Sequence, residues 1–130
     1  MKKPEAKWQT IWNQYLREMK ERGEMYGFYE LKYAEGKTLP YSKIEIHQYD
    51  GLQATDKTGL VWKFSDEDSR QKPCDCVSIP PLRSYIVIIF KNEYYVISIW
   101  DIVKLREDGG ISITKEQAKS VAEKIVILGT

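Results

Sequence analysis

The chain has 130 residues, which suits one compact domain, and its 42% hydrophobic content is enough for a single core. Its 20 Lys and Arg nearly balance its 19 Asp and Glu, so the net charge of +1 permits a nucleic-acid partner without indicating one. No apolar run reaches the roughly 18 residues of a membrane-spanning helix, and no apolar segment follows the basic N-terminus as in a signal peptide. We therefore expect a protein of the cytoplasm, of a cell or of a phage host.

The first element is a predicted amphipathic helix over residues 5–22. Apolar side chains recur at the spacing of one helical face from Trp8 to Met19. Pro4 suits the start, where its missing N–H costs nothing, and Gly23 suits the end. The aromatic stripe on this helix is expected to be core, with a dimer interface as the alternative.

A strand, a helix and a second strand are predicted next. Residues 25–33 form the strand. Residues 43–54 form the helix, which we expect to begin at a capping box, because Ser42 and Glu45 have the S-x-x-E spacing. Alternating apolar residues over 59–64 predict the second strand.

The segment over residues 65–83 is predicted to be irregular, because it contains three prolines and many charged residues. It includes the two cysteines, Cys74 and Cys76, which lie too close in sequence for a disulfide between them. A zinc site would need more ligands than the chain offers here. We expect both cysteines to be reduced and buried.

The elements after residue 83 have clearer sequence patterns than the irregular segment before them. Residues 84–90 form a continuous apolar run that predicts a strand buried on both faces, and residues 94–99 return as its antiparallel partner. A short helical turn is predicted over 100–106. A second capping box, Thr114 with Gln117, predicts a last helix over 115–125.

One pair of residues on the first strand carries the functional argument. Side chains alternate between the two faces of a strand, so Glu30 and Lys32 project together. A carboxylate and an ammonium in this arrangement form either an ordinary ion pair or the core of a metal-dependent nuclease. Alone, the E-x-K spacing is too common to decide between them.

The residues that follow the pair extend the pattern. The stretch YELKYAEGKTLPYSKIEIHQYDGL resembles the PD-(D/E)xK nuclease superfamily, and more narrowly the RecU-like Holliday junction resolvases and their phage relatives. Those proteins carry an ELK strand, a K-x-L-P-[FY]-S loop and a following helix with a glutamine. The resemblance is strongest over residues 28–64. It implies a single nuclease domain over residues 1–130, with a restriction-endonuclease-like α/β fold in which helices flank a mixed central sheet of about four or five strands.

The resemblance also implies a chemistry. Such a site cleaves phosphodiesters with a divalent metal, Mg²⁺ or alternatively Mn²⁺, which takes hard oxygen ligands. Glu30 and the Leu31 carbonyl would supply two ligands, and Lys32 would orient the attacking water or stabilise charge on the phosphate. Gln48 resembles the glutamine that orders the site in the family, with a solvent-facing helix residue as the alternative.

The chain departs from the family in its second carboxylate. The family carries an Asp on a strand before the E-x-K strand, whereas here the first helix runs almost directly into the motif. Asp75, in K-P-C-D-C, is the candidate replacement as catalytic residue and metal ligand, and the alternative is an aspartate that caps a loop. Family members also carry a Glu on the first helix near the metal, for which this chain offers Glu5 or Gln9.

Four basic residues are candidate DNA contacts: Lys37, Lys43, Arg70 and Lys72. Each could neutralise a phosphate, which positions DNA without reading its sequence, and each could equally serve solubility. The chain has no helix dense in Arg, so we expect recognition of DNA shape rather than of base sequence.

These features predict a metal-dependent endonuclease that resolves four-way DNA junctions. Symmetric cuts across a junction need two sites related by a twofold axis, so a homodimer is expected. Two alternatives remain open: a catalytically inactive DNA- or protein-binding module of the same fold, and a nuclease that acts on other branched or linear DNA.

Overall fold

The computed structural model describes residues 4–63 and 76–129, which form a mixed α/β structure with four α-helices and a mixed sheet as the main elements of the described part. None of the described helices is long and apolar enough to cross a membrane. In chain order the elements are α1 (Pro4–Glu21), β1 (Phe28–Ala34), β2 (Thr38–Pro40), α2 (Ile46–Thr58), β3 (Leu60–Lys63), β4 (Cys76–Ile79), β5 (Ser84–Phe90), β6 (Glu93–Ser98), α3 (Ile99–Glu107), β7 (Ser112–Thr114), α4 (Lys115–Val121) and β8 (Lys124–Ile127).

The main sheet has the strand order β1-β5-β6-β8. β1 runs parallel to β5, and α2 lies between these two strands in the chain, as a parallel pair requires a crossover. The pairs β5–β6 and β6–β8 are antiparallel. Among the described residues β1 is therefore one edge of the main sheet. β2 pairs with β7, and β3 pairs with β4, in two smaller antiparallel sheets.

Helices cover both faces of the main sheet. On one face, Trp12 of α1 packs with β-sheet residues such as Val87 and Tyr94. On the other face, Ile86 lies in the same core cluster as Ile102 of α3. Every residue of β5 is buried, which confirms the predicted strand buried on both sides.

Several predicted elements are confirmed with small shifts at their ends: α1, β1, β3, the β5–β6 hairpin and α3. The capping box of α4 is also confirmed. The Thr114 hydroxyl accepts from the Gln117 N–H at 3.1 Å, and the Gln117 side chain accepts from the Thr114 N–H at 3.0 Å. Both hydrogen bonds of this motif join residues that are three apart in sequence, which explains why the sequence was sufficient to predict it.

The predicted capping box at the start of α2 is wrong. Ser42 lies in a single 3₁₀ turn, Tyr41–Lys43, and Glu45 is itself the N-cap residue, with no side-chain capping bond. Between them Ile44 is extended and only 4% exposed. Burial of this side chain in the core holds the chain out of the helix until Ile46, because it outweighs the modest gain from a cap.

The end of the last helix was also predicted wrongly. α4 ends at Val121, and residues 124–127 form β8 instead of helix. The Glu123 N–H donates to the Val96 carbonyl at 2.9 Å, and β8 then pairs with β6. Its β-branched residues Ile125 and Ile127 suit a strand, so pairing with the sheet prevails over continuation of the helix.

Residues 65–83, predicted to be irregular, contain the strand β4. Its first residue, Cys76, is exposed, so the prediction of a buried side chain is wrong for this cysteine. Cys74 lies outside the described residues.

Candidate active site

A cleft of about 470 Å³ lies along β1, with α1 on one side and α2 on the other. It follows the edge of the main sheet that the described residues leave unpaired. The lining residues are Gln9, Trp12, Asn13 and Leu16 from α1, Gly27 before β1, residues 28–32 of β1, and Gln48 from α2.

Three of the predicted site residues meet in this cleft. Gln48 Nε2 donates to Oε1 of Glu30 at 2.8 Å, and Lys32 Nζ lies 3.7 Å from the same oxygen. The Glu30 side chain is 33% exposed and that of Lys32 is 14% exposed. The same carboxylate oxygen of Glu30 thus accepts one hydrogen bond and takes part in one ion pair. The catalytic role of the three residues stays a prediction.

Strand alternation and the position of α2 explain why Glu30, Lys32 and Gln48 lie in contact. Glu30 and Lys32 lie opposite Ile86 and Ile88 in the register, and so on the sheet face that α2 covers. Gln48 lies in the first turn of α2. The late start of that helix after the buried Ile44 brings Gln48 over β1.

The backbone of β1 presents polar groups to the cleft as well. The Phe28 N–H donates to the Arg83 carbonyl beside β5 at 2.9 Å. In a parallel pair, both backbone groups of a residue point the same way and the direction alternates along the strand. The N–H and C=O of Leu31 therefore point away from β5, toward the open edge. This direction is the one required of the predicted Leu31 carbonyl ligand.

Charge within the cleft is confined to one pair. Among the described residues that line it, only Glu30 and Lys32 are charged at neutral pH. Tyr29 also lines the cleft, and burial raises the pKa of its hydroxyl to about 12, so it stays neutral. Glu30 is accordingly the carboxylate that this lining offers to a cation.

Two of the four predicted DNA contacts do not line the cleft. Lys37 and Lys43 are exposed, before β2 and in the 3₁₀ turn respectively, and neither lines the cleft. Asp75, Arg70 and Lys72 lie outside the described residues.

The α1 wall is the part of the site that sequence reasoning largely missed. The helical periodicity predicts Trp12 and Leu16 as core residues and indicates no role for Asn13. The available signal was a pair of amides, Gln9 and Asn13, at the i, i+4 spacing of one helical side. Which side of α1 meets the edge of β1 depends on the fold, so this signal alone could not find the wall.

The oxygen ligands that the cleft offers suit a hard cation in chemical type, but they are fewer than a complete coordination shell needs. A carboxylate oxygen of Glu30 and the carbonyl of Leu31 are hard oxygen ligands, and Mg²⁺ is commonly held by one or two carboxylates with waters and substrate phosphates. No group of three His, Cys, Asp or Glu side chains suited to a metal occurs in residues 4–63 and 76–129. A complete protein-derived shell would need a further ligand.

Comparison with protein-family models, with curated proteins and with solved structures found no match to this chain.

Proposed function

We propose that the protein is a metal-dependent DNA endonuclease that resolves four-way junctions, with a restriction-endonuclease-like fold. The observation that carries this proposal is the contact of Gln48 and Lys32 with one oxygen of Glu30, on an open strand edge beside a cleft. This is the arrangement expected if the ELK strand and the glutamine of the following helix act together.

The order of elements supports the fold assignment. The motif strand β1 is followed by the short strand β2 with Leu39 and Pro40, by α2, by the β3–β4 pair and then by the parallel strand β5. α1 lies on the opposite face of the sheet from α2. A strand with the acid and base, a crossover helix with the glutamine and a parallel neighbour are consistent with the resemblance.

The residues of the chain have distinct proposed roles. Glu30 and the Leu31 carbonyl would hold Mg²⁺, which would lower the pKa of a bound water and polarise the phosphate. Gln48 holds the Glu30 carboxylate in one orientation, since second-layer hydrogen bonds of this kind fix the geometry of a ligand. Lys32 places a positive charge where negative charge develops on the phosphate oxygens.

Asp75 is the proposed second carboxylate. It immediately precedes β4, which pairs with β3, and β3 follows α2 after one residue. Its carboxylate would be the further ligand that a complete metal shell needs. The proposal places the protein in the cytoplasm of a cell or phage host, as a homodimer, because two symmetric cuts need two sites.

The second candidate is a DNA- or protein-binding module without catalysis. The observation that favours it is the single carboxylate among the described residues of the cleft. The two candidates differ in one outcome, which is whether any phosphodiester is cut.

The test compares a labelled four-way junction with a linear duplex of equal length, each with Mg²⁺ and with EDTA. Paired symmetric cuts in the junction, only with Mg²⁺, would support the resolvase. Cuts in both substrates would indicate a nuclease of wider substrate range. Tight binding of the junction without cleavage in any metal would favour the binding module.

A further inference from the structure

Two neutral amides line the cleft on the side opposite α2. Gln9 and Asn13 are both exposed residues of α1 that border the cleft. Their spacing of one turn places them on the same side of the helix, about 6 Å apart along its axis. Neither amide has a hydrogen-bond partner among the described residues, so both are available to a molecule in the cleft.

The wall that carries these amides is held firmly against the motif strand. Trp12, between them in sequence, is 1% exposed. Its ring lies 5.7 Å from the ring of Tyr29 on β1 and stacks on Tyr94 of β6 at 5.6 Å. The Tyr94 hydroxyl also donates to the Trp8 carbonyl at 2.9 Å. The helix that carries the two amides is therefore anchored to the sheet that contains Glu30.

The chemistry of the wall differs from that of an electrostatic DNA contact. The α1 residues that line the cleft carry no charge at neutral pH. Amide N–H groups donate hydrogen bonds to phosphate and sugar oxygens. They do so without neutralising a phosphate, and so without releasing a counterion.

We infer that Gln9 and Asn13 bind the backbone of the DNA strand that is to be cut, by donating to oxygens of successive nucleotides beside the scissile phosphate. This inference rests on the proposed function and adds to it the residues that position the strand across from Glu30 and Lys32. The one-turn spacing lets two neighbouring nucleotides be held at once. The contact is independent of base identity, because every nucleotide presents the same backbone oxygens.

The test uses the full chain with both amides removed, Gln9→Ala with Asn13→Ala. Alanine raises helix propensity at both positions, so the fold of α1 is preserved. The matched control is Gln14→Ala, since Gln14 is an exposed amide of the same helix that does not line the cleft. The Kd for a labelled four-way junction is measured in EDTA over a range of salt concentrations, and KM and kcat are measured in Mg²⁺.

The double variant is expected to raise Kd and KM at least about tenfold, as the loss of two hydrogen bonds from neutral donors to backbone oxygens predicts. The slope of log Kd against log salt should equal that of the wild type, kcat should change by less than about twofold, and the control should match the wild type. Unchanged Kd and KM, a shallower salt slope, a loss confined to kcat or an altered sequence preference would each overturn the inference.

Failure of the inference is distinguishable from failure of the proposed function. A wild-type protein that cuts the junction with a double variant that matches it would overturn the amide contact and leave the endonuclease proposal intact. A wild-type protein that neither binds nor cuts DNA would overturn both.

Discussion

Gln48 donates a 2.8 Å hydrogen bond to Glu30 across 18 positions of sequence, and this bond joins α2 to the motif strand β1. Gln48 Oε1 is buried and receives no hydrogen bond from the described residues. The amide nitrogen of the side chain is thus committed to Glu30. Such an arrangement suits a residue that orients a metal ligand rather than one that merely stabilises the helix.

Gln48→Ala should therefore impair cleavage more than folding. Loss of an orienting partner of a metal ligand typically costs about 10- to 100-fold in metal affinity or activity. We expect the concentration of Mg²⁺ needed for half-maximal cleavage to rise in that range, with little change in the melting temperature. His47→Ala is the matched control, because His47 is an exposed neighbour that does not line the cleft. Equal Mg²⁺ dependence in the two variants would remove Gln48 from the site.

Asp75→Asn should abolish Mg²⁺-dependent cleavage while junction binding persists. The proposed site needs a second carboxylate, and the amide of Asn is a much weaker ligand for a hard cation. Asp50→Asn is the control, since Asp50 is an exposed acid of α2 outside the cleft. Wild-type cleavage by the Asp75 variant would exclude it as the missing ligand.

Tyr94 should contribute to the loss of stability in alkali. Burial raises the pKa of its hydroxyl to about 12, above the ordinary value of about 10. The folded state thus favours the neutral hydroxyl, so this contribution is fully present below pH 10 and is lost as the pH rises through about 12. Tyr94→Phe should flatten the fall in unfolding free energy over that window, by up to about 1.4 kcal/mol per pH unit for one proton.

Urea unfolding followed by circular dichroism at several alkaline pH values measures this slope. At neutral pH the same variant should lose about 1 kcal/mol, because the Trp8 carbonyl loses its donor. Tyr26→Phe, at a residue that is 62% exposed, is the control. A Tyr94→Phe slope identical to that of the wild type would contradict the account of this buried hydroxyl.

The sequence was sufficient to predict features that depend on local spacing. Alternation along β1 predicts Glu30 and Lys32 on one face, and the family resemblance implies that Gln48 belongs to the same site. Both expectations about placement agree with the contacts found. The continuous apolar run of β5 was equally decisive, because only a strand covered on both faces tolerates it.

Features that depend on distant contacts were not predictable in this way. The start of α2 is set by the burial of Ile44, and the end of α4 by the pairing of β8 with β6. At the start of α2 tertiary packing prevails over a local capping pattern, and at the end of α4 strand pairing prevails over a local helix preference. The position of Asn13 in the cleft could not be predicted for the same reason, since it depends on how α1 packs on the sheet.

The most direct test of the central claim is the rate of junction cleavage by Glu30→Gln under single-turnover conditions in Mg²⁺. Glutamine keeps the size of the side chain and removes the charge that holds the metal. The account predicts a loss of at least about a hundredfold in rate, with junction binding within about threefold of the wild type. Glu35→Gln, at an exposed acid just after β1, should cut at the wild-type rate. A Glu30→Gln protein that cuts as fast as this control would contradict the assignment of the active site.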